Sequence, residues 1–261
     1  MQTNNQFTMQ RFVLLGKQSF IINKKMIGIS LIGFIGILFL ALLFFQSVNH
    51  FVNWNQKSYE VTFFSFFFLL GIIFSGLSFP AFRSKEKSMT YLMLPASASE
   101  KYIFEFLVRI VLYIILMPLL FWLVANFEGA VVHYFVPELT KHTFPFIKQD
   151  SIHFENIGWM DLAKLQAFLF VFVVCFTGAS HFTKSPLMKT MFTVTMVAIG
   201  YGLFTFLLLK GLNLESFHIE SKRIFFIKDE HDGLVFLAIL ETVINLSLLA
   251  IAWFRLKEKE A

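Results

Sequence analysis

Hydrophobic positions in this chain gather into six long runs, residues 26–46, 61–82, 106–127, 162–181, 191–209 and 233–254, with polar and charged residues confined mostly to the stretches between them. A bilayer core about 30 Å thick requires about 20 predominantly apolar residues of helix, and each run has about that length. The pattern predicts an all-α polytopic membrane protein with six transmembrane helices in a single transmembrane domain, residues 1–261. Ahead of the first run, Phe7, Phe12, Leu15 and Phe20 recur near helical spacing among Gln10, Arg11, Lys17 and Gln18, which predicts an N-terminal amphipathic interfacial helix over residues 1–25. Gly28, Gly33 and Gly36 in the first run, Gly71, Ser75 and Gly76 in the second, and Gly200 and Gly202 in the fifth are small residues that would let helices approach closely.

Composition supports the same class: 57% of residues are hydrophobic and 15% charged, against about 25% charged in soluble domains. The connecting stretches are too short for an independent globular domain. Charge then orients the spans, because cytoplasmic loops close to membrane helices carry the Lys and Arg excess. Arg11, Lys17, Lys24 and Lys25, then Arg83, Lys85, Lys87 and Lys101, then Lys184 and Lys189, and finally Arg255, Lys257 and Lys259 all fall on one side of a six-span chain. The opposite side carries eleven acidic residues from Glu60 to Asp232, Glu128 among them, against eight basic ones. Both termini are therefore expected in the cytoplasm, and the net charge of +5 reflects inner-face bias rather than nucleic-acid binding. The first run starts late, is too long for a signal-peptide core and lacks a small-x-small cleavage site, so it is expected to persist in the mature protein.

The richest local signal lies between the second and third runs. Ser84 suits a helix N-cap and Pro95 disfavours helical backbone at Leu94, which predicts a short cytoplasmic helix over 84–94 with Met89, Leu92 and Met93 on an apolar side and Lys85 and Glu86 on a wet side. Ser97-Ala-Ser-Glu100 then has the Ser-x-x-Glu form of a capping box, which starts the helix that becomes the third span. A short helix across the membrane plane, joined to a span at each end, has the form of a mechanical coupling element.

Arg83-x-x-x-Lys87, Tyr-Leu-Met-Leu-Pro-Ala-Ser over 91–97 and Glu100-Lys101, set between the second and third of six spans, resemble the permease subunits of ABC-2 type (ATP-binding cassette) transporters, especially bacterial ones. The resemblance implies that Ser84, Lys85, Glu86, Lys87, Met89, Tyr91, Leu92 and Met93 dock into a separate ATPase subunit. It also implies that a second permease subunit, identical or paralogous, completes the assembly, and that the chain resides in the bacterial cytoplasmic membrane. The long outer stretch after the third span departs from a minimal permease. No Gly-x4-Gly-Lys-[Ser/Thr] loop occurs, so ATP is expected on the partner and no cofactor on this chain.

Charges inside the runs carry the remaining chemistry, because an ionisable group at mid-bilayer costs at least about 2.5–3.5 kcal/mol. Glu105 and Arg109 lie four apart on one helix face, where they can pair or form a charged gate. Glu241 lies inside the sixth run with no basic residue one turn away, and Asn245 shares its face. It either packs as a hydrogen-bonded carboxyl or contacts a substrate or proton in a central cavity. The histidines lack His-x3-His or His-Glu-x-x-His spacing and Cys175 is the sole cysteine, so neither a metal site nor a disulfide is expected. An exporter permease is the function these features favour, with a membrane-embedded enzyme using Glu241 or a non-transporting scaffold as alternatives.

Overall fold

A computed structural model of the chain describes residues 7–48, 56–83, 89, 91, 96–135, 159–211 and 230–260. Helix is the regular structure throughout these residues, as expected where hydrocarbon forces each backbone group to find its partner within its own segment. Six helices follow one another: α1 (Met9–Val48), α2 (Gln56–Gly76), α3 (Ala98–Phe135), α4 (Trp159–His181), α5 (Pro186–Gly211) and α6 (Glu230–Glu260). A 3-10 turn, Pro80–Arg83, follows α2. Within α3 a π-turn at Leu107–Val111, where the Leu112 N–H reaches back to the Leu107 carbonyl, separates Ala98–Phe106 from Leu112–Phe135. Five helices are long and apolar enough to cross a membrane, whereas the apolar part of α4, Leu165–His181, is shorter.

The N-terminal expectation is corrected. Instead of an interfacial helix followed by a separate span, α1 is one uninterrupted helix of 40 residues, about 60 Å long at 1.5 Å per residue. No proline divides residues 9–48, and once a helix is nucleated each further residue adds a hydrogen bond at little entropic cost. Of the predicted apolar stripe, Leu15 is buried and Phe12 half-buried, while Phe7 and Phe20 remain exposed.

The chain divides into two compact units, the first comprising Met1–Phe74 and Leu94–His153, the second Ser75–Met93 and Phe154–Ala261. In the first, α1 and α3 run parallel, since Phe12 meets Phe104 near one end and Phe39 meets Phe127 near the other. Their core is built from residues at helical spacing: Leu38 and Leu42 from α1, Met117, Phe121, Val124 and Ala125 from α3, closed by Tyr59 from α2. Burying these side chains gains little over lipid contact, so close packing and interhelical hydrogen bonds hold the helices together. One such bond joins the Tyr113 hydroxyl to the Phe67 carbonyl at 2.6 Å, with the Tyr113 ring stacked on Phe67 and Phe74.

In the second unit α4 and α6 pack in parallel. The Thr242 hydroxyl donates to Gln166 at 3.1 Å, the Thr177 hydroxyl to the Leu248 carbonyl at 3.1 Å, and Lys259 to the Ser180 carbonyl, so the contacts ascend together along both helices. Every seventh residue of α6, Ala238, Asn245 and Ala252, is buried. The α4–α5 turn places Ser185 at φ 50° directly before Pro186, which occupies the first helical position where its missing N–H costs nothing.

Close approach occurs at only some of the small residues expected to provide it. A Cβ added at Gly28, Gly33, Gly36, Gly200 or Gly202 would meet nothing within 4 Å. Tight places among the described residues include Gly76 against Leu187, and Gly178 of α4, where any side chain would overlap Thr190 of α5.

Candidate functional site

Of the residues assigned to ATPase coupling, Ser84, Lys85, Glu86, Lys87, Leu92 and Met93 lie outside the described residues. Met89 and Tyr91 are helical, Met89 with its side chain exposed. What the structure defines is how each end of this segment is fastened.

The upstream anchor belongs to the second unit. Helix α2 stops as the Ser78 N–H and hydroxyl both bond to the Ser75 carbonyl, at 3.1 and 2.6 Å. Phe79 then adopts φ 53°, a conformation costly for a bulky residue and held here because its ring, 2% exposed, packs 5.0 Å from the Phe176 ring of α4. The 3-10 turn that follows presents Phe82, whose ring lies edge-on to Tyr91 at 5.5 Å and beneath the Lys259 ammonium at 4.9 Å. Lys259 also donates to the Ser180 carbonyl at 2.5 Å, satisfying an acceptor that the last turn of α4 leaves open.

The downstream anchor belongs to the first unit and contains the predicted capping box. The Ser97 hydroxyl accepts from the Glu100 N–H at 3.3 Å, and Glu100 Oε2 accepts from the Ser97 N–H at 2.8 Å. Its other oxygen does something the sequence reading did not foresee. Glu100 Oε1 accepts from the Thr8 N–H at 2.7 Å and lies 3.4 Å from Arg11 Nε. Thr8 directly precedes α1, so one fully buried carboxylate serves the N-terminal ends of two helices, where negative charge is favoured. Arg11 is fixed in turn by the Thr8 hydroxyl at 2.6 Å. The capping box was legible from local spacing, but the 92-residue separation of Thr8 and Glu100 carries no sequence signal.

The intramembrane charges separate into a closed pair and an open one. Arg109 Nε and Glu105 Oε2 are 3.4 Å apart across one turn of α3, at the π-turn, and the Arg109 guanidinium also covers the Phe74 ring at 4.9 Å. On α6, Glu241 Oε2 and Asn245 Oδ1 are buried atoms without a hydrogen-bond partner.

A further polar cluster involves Glu128, which the sequence reading counted only among the outer-side charges. Glu128 is fully buried, and its Oε2 accepts from Tyr59 at 3.0 Å and from Gln46 at 2.9 Å, while Gln46 also donates to the Tyr59 hydroxyl at 2.7 Å. Helical phase was the available signal: Glu128 follows Met117, Phe121 and Val124 on the buried stripe of α3, although it is the first charge after an apolar run. Three helices thus share one hydrogen-bonded triad.

No protein-family model, curated protein or solved structure matches the chain. Sequence and fold together make it an integral, multi-pass helical membrane protein.

Proposed function

We propose that this chain is the membrane-spanning permease subunit of an ATP-driven exporter of ABC-2 type, with six spans and both termini in the cytoplasm. It works with a separate ATPase subunit and a second permease subunit in the bacterial cytoplasmic membrane. The observation that carries this reading is the anchoring of residues 84–95 at both ends. Phe79 and Phe82 seat the upstream end on α4 and beneath Lys259 of α6, and the capping box with its Glu100 carboxylate ties the downstream end to α1. A segment pushed by a nucleotide-driven partner transmits displacement only if its ends are fastened to the helices that must move, because a slack loop absorbs it. Exposed Met89 supplies an apolar contact at the inner face, and the basic residues of 83–87 supply charge for docking.

The test is co-purification. Replacing Met89, Leu92 and Met93 together with Asp should abolish recovery of a P-loop ATPase that co-purifies with the unsubstituted chain, while leaving membrane insertion intact. Recovery of an ATPase whose hydrolysis still responds to the triply substituted chain would refute the coupling assignment.

A further inference from the structure

Glu241 and Asn245 present the one pair of intramembrane polar side chains, among the described residues, that lie a turn apart with both carrying buried unpartnered oxygens. Among the other intramembrane charges described, Glu105 has Arg109, and Glu128 has Tyr59 and Gln46 on Oε2 while its Oε1 is buried without a partner, so what sets Glu241 and Asn245 apart is that their two open oxygens lie one turn from each other. A buried acceptor left open costs about 1–3 kcal/mol, more for a carboxylate, so two of them one turn apart make an arrangement that a group donating two hydrogen bonds would complete. The next basic residues along α6 are His231 and Arg255, ten positions before Glu241 and 14 after, too far along the helix to reach it. Asn245 is 5% exposed in the seam with α4, where Ala238 and Ala252 one heptad to either side keep the surroundings small. Glu241 is half-buried at the edge of that seam, and Leu237, Leu240 and Ile244 beside it are exposed, so the approach is through an apolar surface.

We propose that Glu241 and Asn245 form a binding site for the primary ammonium group of a lipid-soluble amphiphile. The carboxylate takes the charge and one N–H, the amide oxygen takes a second N–H, and the alkyl chain lies along Leu237, Leu240 and Ile244. Both open atoms are acceptors, which selects a cation that donates more than one hydrogen bond. The inference rests on the permease reading only in treating this ligand as cargo, since binding itself requires no ATPase.

The experiment is equilibrium binding of radiolabelled hexadecylamine to the purified full-length chain in zwitterionic nanodiscs. Competitors are unlabelled hexadecylamine, hexadecyltrimethylammonium and hexadecanol. Saturable binding is expected that hexadecylamine displaces and the other two do not. Glu241→Gln should weaken it at least about tenfold, the loss of one charge-assisted hydrogen bond, and Asn245→Leu about threefold. Absence of saturable binding, equal competition by the quaternary ion, or unchanged affinity in a folded Glu241→Gln chain would each overturn the proposal. The competition arms use the unsubstituted chain, so they decide the matter even where a variant fails to fold. Failure of the unsubstituted chain to recover any ATPase, with hexadecylamine binding intact, would instead remove the permease reading and leave the site.

Discussion

Glu100→Ala is the substitution whose consequence follows most directly from the geometry. The carboxylate makes one bond that closes the Ser97 capping box and one to the Thr8 N–H, and it faces Arg11. Loss of a helix cap costs about 0.5–2 kcal/mol. Loss of a charge-assisted hydrogen bond to a backbone N–H costs about 1.5–3 kcal/mol. The Arg11 side chain is 30% exposed, so solvent screening limits its contribution to about 1 kcal/mol or less. Because a single group makes all three contacts they do not add fully, and the expected total is about 3 kcal/mol. Glu100→Gln retains one acceptor oxygen but turns an NH2 group toward one of the two N–H groups, so about half that loss is expected. Unfolding free energies measured by SDS titration in mixed micelles give the totals. Hydrogen exchange locates the effect, with faster exchange expected in the first turns of both α1 and α3. A loss below about 0.5 kcal/mol in Glu100→Ala, the range of an ordinary surface substitution, with unchanged exchange in α1, would refute the two-helix tie.

Three further outcomes are expected. Reporter fusions after Lys24, within residues 83–99, at Lys184 and at Ala261 should all read cytoplasmic; an external signal at any of them refutes the charge-derived orientation. Gly178→Ala should lower the thermal unfolding midpoint, at a cost of about 1–3 kcal/mol from overlap with Thr190, while Gly33→Ala, facing open space, should leave it unchanged or raise stability by up to about 1 kcal/mol. Equal responses of the two would contradict the packing at the α4–α5 hairpin. For Glu105 and Arg109, a double-mutant cycle built from Glu105→Gln and Arg109→Met should return a coupling energy of at least about 1 kcal/mol, since each single change strands the other group among apolar helices. Additive single effects would show that the two side chains do not pair.

Local rules determined much of this protein. Run length and composition specified membrane helices, because the thickness of the hydrocarbon core fixes how many apolar residues a span needs. The Ser97-x-x-Glu100 capping box and the Glu105–Arg109 pair were likewise legible, since their partners lie within one turn of helix and backbone geometry alone brings them together. Tertiary structure decided what depends on partners distant in sequence or on helical phase. Glu100 reaches Thr8 only because α1 and α3 run parallel with their starts aligned, and the Glu128 side chain is buried among helices because α3 continues as helix past the end of its apolar run. It also decided which glycines matter. Small residues permit close approach on any helix, but only the packing of α4 against α5 selects Gly178, while Gly28, Gly33 and Gly36 face open space. The length of α1 is the remaining case: the change from amphipathic to fully apolar character near residue 26 read as a boundary, yet composition can change while the backbone hydrogen-bond ladder continues unbroken.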